Sequence, residues 1–202
     1  FVPSVIKAVE KARQNGLTIP IVYNSSGYEK ADTIKMLEGT VDIYLPDIKY
    51  FSSKLSAKYS SAPDYFEYAS AAVKEMHRQC GNVIFDENGI MQKGIIIRHL
   101  ILPSCKTDSF KILDWIRDNL GNETYVSLLN QYTPVYNAAK YKEINRRLMS
   151  IEYTRVIEHF LAFLHISVFK SYFKTDICRN AHRPTAAIHR FLTSADYKNS
   201  GL

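Results

Sequence analysis

Apolar residues follow two alternating patterns along this chain. Short apolar runs, typical of strands, alternate with longer segments in which apolar residues recur every three or four positions, as in helices. The predicted strands are residues 19–23, 41–45, 94–102 and 125–129. The predicted helices are residues 3–14, 29–37, two within 52–79, 108–120 and 140–160. This β-α-β-α-β-α-β order predicts an α/β fold with a parallel sheet or barrel.

The run GIIIRHLIL at residues 94–102 is the most strand-like segment of the chain. Its continuous apolar character is typical of a parallel strand that is buried on both faces. Arg98 and His99 lie in the middle of this run, so one of them must point into the interior and find partners there. A histidine that only satisfies core hydrogen bonds and one that contacts a ligand both remain open. Residues 81–93 are expected to form a turn or small hairpin around Asn88 and Gly89.

Polar residues follow several of the predicted strands. They are Asn24, Ser25 and Ser26 after the first, Asp47 and Lys49 after the second, and Asn130 and Gln131 after the fourth. Parallel barrels hold their chemistry at the carboxyl ends of the strands, so these residues, with Arg98 and His99, predict a ligand site. Asp47 and Lys49 are two positions apart and leave an extended backbone on the same face. The alternative is a surface ion pair that caps a strand.

Length and charge limit the classes of protein to consider. The 202 residues suffice for one domain with a sizeable core, which we place at residues 1–160. Residues 161–202 hold six Lys or Arg against two Asp or Glu, and we expect them to form an atypical basic tail that packs poorly. No stripe of basic and aromatic residues predicts a nucleic-acid partner, and no apolar run predicts a membrane span.

The three cysteines, Cys80, Cys105 and Cys178, are far apart and odd in number. This pattern argues against a disulfide framework and predicts a cytoplasmic location. Their spacing predicts no metal site, and no glycine-rich phosphate loop occurs. Lys49 could serve as the Schiff-base lysine of an aldolase-type barrel, although Asp47 would tend to hold it charged.

Four stretches of the chain carry a family resemblance. IPIVYNSSGYEKADTIKMLEG, VDIYLPDIKYFSSKLSAKYSSAPDY, FDENGIMQKGIIIRHLILP and YVSLLNQYTP resemble the radical S-adenosylmethionine (SAM) proteins related to pyruvate formate-lyase activating enzyme. The resemblance covers residues 1–160, and the DIK and RHLILP segments are its most specific parts. It implies a (β/α)6 partial barrel in which a [4Fe–4S] cluster and SAM meet at the strand carboxyl ends. It also implies a 5′-deoxyadenosyl radical that abstracts hydrogen from a protein or small-molecule substrate, with an electron donor such as flavodoxin or ferredoxin.

The resemblance carries over to individual positions. Lys49 falls on the lysine of the family's DLK motif, which is similar to a donor for the SAM carboxylate, and Asp47 falls on its aspartate. Asn24 and Ser25 fall on the polar turn beside that motif, and Asn24 stands where an aspartate is usual near the family's monovalent cation. Arg98 and His99 fall on the later strand that lines the pocket.

The chain also departs from the family pattern. The CxxxCxxC motif that supplies three thiolates to the cluster is absent, and LPGH is replaced by LPSC at residues 102–105. Nothing beyond residue 160 matches the family. We therefore expect a C-terminal piece of such an enzyme, without its first strands or cluster-binding loop, that by itself binds no cluster. The alternative is a truncated product without activity.

Overall fold

The computed structural model describes residues 2–163. Its helices are α1 (Val2–Gln14), α2 (Ala31–Lys35), α3 (Ser53–Ser60), α4 (Tyr65–Cys80), α5 (Lys106–Leu120) and α6 (Ser150–Phe163), with a 3-10 helix at Tyr136–Lys140. Its strands are β1 (Val22–Ser25), β2 (Ile43–Pro46), β3 (Ile84–Phe85), β4 (Met91–Leu100) and β5 (Tyr125–Leu129). Within this part of the chain no helix is long and apolar enough to cross a membrane. The predicted tail lies outside the described residues from position 164 onward.

The four longer strands form one parallel sheet in the order β1-β2-β4-β5. Strand β3 pairs antiparallel with the start of β4 and forms the predicted hairpin. Parallel neighbours need a crossover connection, and helices supply it here. The predicted α/β class with a parallel sheet is confirmed, and the architecture is consistent with a partial (β/α) barrel.

The two faces of the sheet differ in burial because side chains alternate along each strand. On one face Tyr44, Ile97 and Val126 are buried in the main hydrophobic core, to which α4 and α5 also contribute residues. On the other face Leu45 and Ile96 are only partly buried. The polar groups at the carboxyl edge therefore lie beside a sheet face that is more open than the helix-covered face.

The first two strands lie further along the chain than predicted. Strand β1 begins at Val22 because Pro20 has no N–H to donate to a ladder, so Asn24 and Ser25 belong to the strand and not to a turn. Strand β2 continues through Pro46, since the N–H of Asp47 makes the next bond to the carbonyl of Ser25 at 3.0 Å.

The single helix predicted at residues 140–160 is wrong. Turns at residues 141–149 separate the 3-10 helix from α6. In these turns the chain is held by hydrogen bonds to α3 and to the start of α6. The Tyr141 hydroxyl donates to the Lys58 carbonyl at 2.7 Å. Helix α6 then starts where Glu152 accepts the Met149 N–H at 3.0 Å, a helix-capping contact that periodicity alone does not reveal.

Candidate functional site

Three charged side chains lie together at the carboxyl edge of β2 and β4. Asp47 and Arg98 form an isolated parallel bridge, and Arg98 Nη2 lies 2.6 Å from Asp47 Oδ1. Lys49 Nζ lies 3.4 Å from the other carboxylate oxygen, Asp47 Oδ2. We call Asp47, Lys49 and Arg98 the charged row. It contains two cations and one anion, so it carries one surplus positive charge.

The charged row is accessible and incompletely paired. The side chains of Asp47, Arg98 and Lys49 are 20%, 30% and 39% exposed. The Arg98 Nε atom is buried and has no hydrogen-bond partner within residues 2–163. A buried donor without an acceptor is costly, so this N–H is suited to an acceptor that a ligand or water would bring.

The loop after β1 approaches the charged row through a glycine. Gly27 adopts φ +75°, and a Cβ atom built there would lie 2.0 Å from the Asp47 carbonyl oxygen. Its N–H donates to Ser25 Oγ at 3.2 Å. Asn24 and Ser26 are exposed at this edge. Close backbone approach therefore holds the loop after β1 against the start of the loop after β2.

Tyr65, the first residue of α4, joins the two loops, a role that the sequence pattern does not predict. Its hydroxyl accepts the Lys49 N–H at 3.0 Å and lies 2.9 Å and 3.1 Å from the carbonyl oxygens of Ser26 and Asp47. Burial raises the pKa of Tyr65, so the group stays a neutral phenol that can donate. Helical spacing indicates that Tyr65 faces inward, but it does not show which backbone atoms it meets.

We expect Tyr65→Phe to lower the free energy of unfolding by about 1–2 kcal/mol, because the Lys49 N–H and two carbonyls lose their shared partner. Urea titration followed by circular dichroism measures this change. Tyr68→Phe is the matched control, since the Tyr68 hydroxyl makes no hydrogen bond within the described residues and its loss should be nearly neutral. Equal effects of the two substitutions would contradict the role assigned to Tyr65.

His99 faces the helices and not the charged row. It is 2% exposed, with Nδ1 2.7 Å from the Ile48 carbonyl and Nε2 2.8 Å from Ser109 Oγ in α5. Burial lowers the pKa of His99 to about 4, so the ring is neutral, donating from Nδ1 and accepting at Nε2. Both nitrogens are thus engaged within the protein, and contact of His99 with a cofactor stays a prediction.

The loop after β2 is also held by Asp108, a role that the sequence pattern does not predict. Its carboxylate accepts the N–H groups of Phe51 and Ser52 at 2.8 Å and 2.9 Å. Burial raises the pKa of Asp108. Gln131, the remaining predicted contact, is exposed beyond the end of β5.

The described cysteines are buried thiols. Burial raises the pKa of Cys105 to about 11 and also raises that of Cys80. Thiolates are the form that binds metals, so neither side chain is prepared for that role. Residues 2–163 contain no group of three His, Cys, Asp or Glu side chains that could hold a metal ion. Cys178 lies outside the described residues.

Known proteins resemble this chain in sequence and in fold. No protein-family model matches the chain. The uncharacterized protein MJ0674 of Methanocaldococcus jannaschii is 34% identical over 158 residues, which cover 77% of this chain and 41% of the relative. A crystal structure of a domain of pyruvate-formate lyase-activating enzyme from Bacteroides vulgatus is similar with a TM-score of 0.55 and 10% identity. It covers 80% of this chain and 86% of that domain.

These comparisons support the fold of the chain but not an activity. The chain is an α/β protein whose fold is similar to that of the activating-enzyme domain. It spans less than half the length of its uncharacterized relative, which supplies no activity to transfer.

Proposed function

We propose that this chain forms the SAM-binding part of a radical SAM enzyme of the pyruvate formate-lyase activating enzyme type. The family resemblance of residues 1–160 and the similar fold support this proposal. The observation that carries it is the charged row, where the buried Arg98 Nε lacks an acceptor within the described residues. We also propose, as the family resemblance implies, a protein or small-molecule substrate and an electron donor such as flavodoxin or ferredoxin.

The charged row fits the methionyl end of SAM, which bears a carboxylate and an ammonium group. Arg98 and Lys49 can donate to the carboxylate, and Asp47 can accept from the ammonium. When bound, SAM would supply hydrogen abstraction through its 5′-deoxyadenosyl group. The protein side chains bind and orient the cofactor in this proposal. The Tyr65 hydroxyl keeps the loop that carries Asp47 and Lys49 in place.

The described residues do not fit a [4Fe–4S] cluster. Such a cluster needs cysteine thiolates, and the cysteines in residues 2–163 are two separate buried thiols. We therefore assign no step to a cluster on these residues.

The aldolase alternative is less well supported. A Schiff-base lysine is normally desolvated, whereas the Lys49 side chain is 39% exposed and lies 3.4 Å from the Asp47 carboxylate. Lys49 therefore lacks the desolvated pocket that such a nucleophile needs.

We expect the purified 202-residue chain to bind SAM, and Arg98→Gln to weaken the affinity at least about tenfold. The reason is that one hydrogen bond to a charged group contributes about 1.5–3 kcal/mol. Isothermal titration calorimetry measures both affinities. Lys35→Met on α2 removes a charge that is paired with Asp32, away from the sheet edge, and should leave binding unchanged. The proposal is wrong if the wild-type chain binds no SAM, or if the two substitutions act equally.

A further inference from the structure

Five tyrosines line a cavity of about 250 Å³ at the same edge of the sheet as the charged row. They are Tyr50, Tyr59, Tyr132, Tyr136 and Tyr141, and we call this cavity the tyrosine pocket. Tyr50 follows β2 and Tyr132 follows β5, so the pocket lies at the carboxyl ends of the parallel strands, where barrels hold their ligands. The neighbouring charged row does not include any of its residues.

Three of the tyrosines are fixed by hydrogen bonds. The Tyr50 hydroxyl lies 2.9 Å from Ser60 Oγ, and the Tyr59 hydroxyl donates to Glu143 at 2.8 Å. Tyr141 donates to a backbone carbonyl of α3 at 2.7 Å. These walls of the pocket are ordered before any ligand arrives, which reduces the entropic cost of binding.

The other two tyrosines have hydroxyls that no described residue engages. Tyr132 and Tyr136 make no side-chain hydrogen bond within residues 2–163, and the same holds for Thr133 and Asn137. Tyr136 is 97% exposed and adopts φ +50°, a conformation that bulky side chains rarely take. Residues held in such conformations cluster at ligand sites. These groups are therefore placed to meet a ligand.

The charges around the tyrosine pocket favour a neutral ligand. Lys58 and Glu143 form an ion pair, and Lys58 Nζ lies 5.3 Å from the ring centres of both Tyr59 and Tyr141. The protein's own cation thus already uses these two rings, and the carboxylate that could attract a second cation is neutralised. Among the residues that line the pocket, none is charged.

The size of the tyrosine pocket indicates a single ring. A cavity of about 150 Å³ accommodates benzene, so 250 Å³ accommodates one substituted ring. Leu102, Val135 and Ile144 add apolar surface to the lining. Aromatic rings interact favourably edge to face, which matches a tyrosine-lined cavity.

We propose that the tyrosine pocket binds one neutral phenol-type ring, with the ring among the tyrosines and its hydroxyl hydrogen-bonded to Tyr132, Thr133 or Asn137. We further propose that this ring belongs to the substrate of the enzyme. That step rests on the proposed function, whereas the binding of the ring does not.

Tyr65 connects the tyrosine pocket to the charged row. The rings of Tyr50 and Tyr65 lie 5.6 Å apart in an edge-to-face arrangement, and the Tyr65 hydroxyl bonds the backbone of Lys49. Tyr50, which lines the pocket, and Tyr65 therefore link the pocket to the backbone of the charged row.

Ligand-observed NMR titration of the full chain without SAM tests the proposal. We expect p-cresol to bind at least fivefold more tightly than 4-methylcyclohexanol, which has a similar shape and hydroxyl but no aromatic ring. Tetramethylammonium should bind more weakly than p-cresol. N-acetyltyrosinamide distinguishes the sources of the ring: tighter binding than p-cresol supports a polypeptide tyrosine, and weaker binding supports a free phenol. Because SAM is left out, failure of SAM binding does not affect this result.

Two variants locate the site. Tyr132→Leu keeps an apolar wall but removes a ring and a hydroxyl, and it should weaken p-cresol binding at least fivefold. Tyr136→Gly relieves the positive φ and should not destabilise the chain, yet it should also weaken binding. Phe85→Leu on β3 removes a partly exposed ring outside the pocket and should change nothing. Undetectable p-cresol binding, equal binding of the cyclohexanol, stronger binding of the cation, or unchanged binding in both variants would overturn the proposal.

Discussion

Replacing Gly27 by alanine is expected to destabilise the protein by about 3 kcal/mol or more. The new Cβ atom would lie 2.0 Å from the carbonyl oxygen of Asp47, at a residue whose φ is +75°. Both the contact and the φ angle are properties of the backbone, so a change of side-chain rotamer cannot relieve them. Denaturant unfolding followed by circular dichroism measures the loss, and SAM titration shows whether the charged row is displaced with the loop.

Gly39→Ala is the matched control for Gly27→Ala. Gly39 has nearly the same φ, +76°, but no atom lies within 4 Å of its added Cβ. It should therefore lose only about 1 kcal/mol from the positive φ. The difference between the two variants isolates the close approach of the β1 and β2 loops. If both variants lose the same stability, the backbone contact at Asp47 is not important for the fold.

The stability of the protein is expected to fall by about 2 kcal/mol between pH 7.5 and pH 5, because of His99. Burial lowers the pKa of His99 in the folded chain to about 4, while the ordinary value is 6.5. The unfolded chain therefore binds more protons between these two values, and stability rises with pH across this range. The contribution is complete above about pH 6.5 and is lost as the pH falls toward 4. Hydrogen bonding to Ile48 and the charge of Asp47 oppose this shift more weakly.

Unfolding free energies of His99→Gln at several pH values check this prediction. The variant should be less stable at pH 7.5, yet its stability should change much less between pH 7.5 and pH 5. His77→Gln removes a partly buried histidine on α4, whose ring lies 3.4 Å from Asn82, and serves as the control for the loss of a histidine elsewhere in the chain. Glutamates with a lowered pKa, such as Glu152, affect the stability mainly below their ordinary value of 4.5 and so contribute little between pH 7.5 and pH 5. A wild-type slope in His99→Gln would show that another group causes the pH dependence.

The pH dependence also bears on the proposed function. Neutral His99 donates to the carbonyl of Ile48, which lies between Asp47 and Lys49 in the chain, and accepts from Ser109. Protonation would remove the acceptor at Nε2 and leave a charge buried beside the charged row. In this structure His99, which the sequence suggests as a ligand contact, holds the backbone of the charged row from the helix-covered face of the sheet.

The sequence by itself determines the fold class and the edge of the sheet where polar residues gather. Apolar periodicity is a local property, and it was enough to predict the four parallel strands, the helices at α3 and α4, and the hairpin before β4. The close placement of Asp47 and Lys49 also follows from the two-residue repeat of an extended chain. What the sequence predicts for residues beyond 163 stays a prediction.

Only the tertiary structure decides which of two adjacent polar residues faces the site, because a shift of one residue in a strand reverses its side chains. It directs Arg98 to Asp47 and His99 to α5. It likewise distinguishes two glycines with positive φ. An added Cβ atom would collide with the Asp47 backbone at Gly27 but would meet open space at Gly39. The roles of Tyr65 and of the tyrosine pocket depend on contacts between segments far apart in sequence, and local patterns carry no record of such contacts.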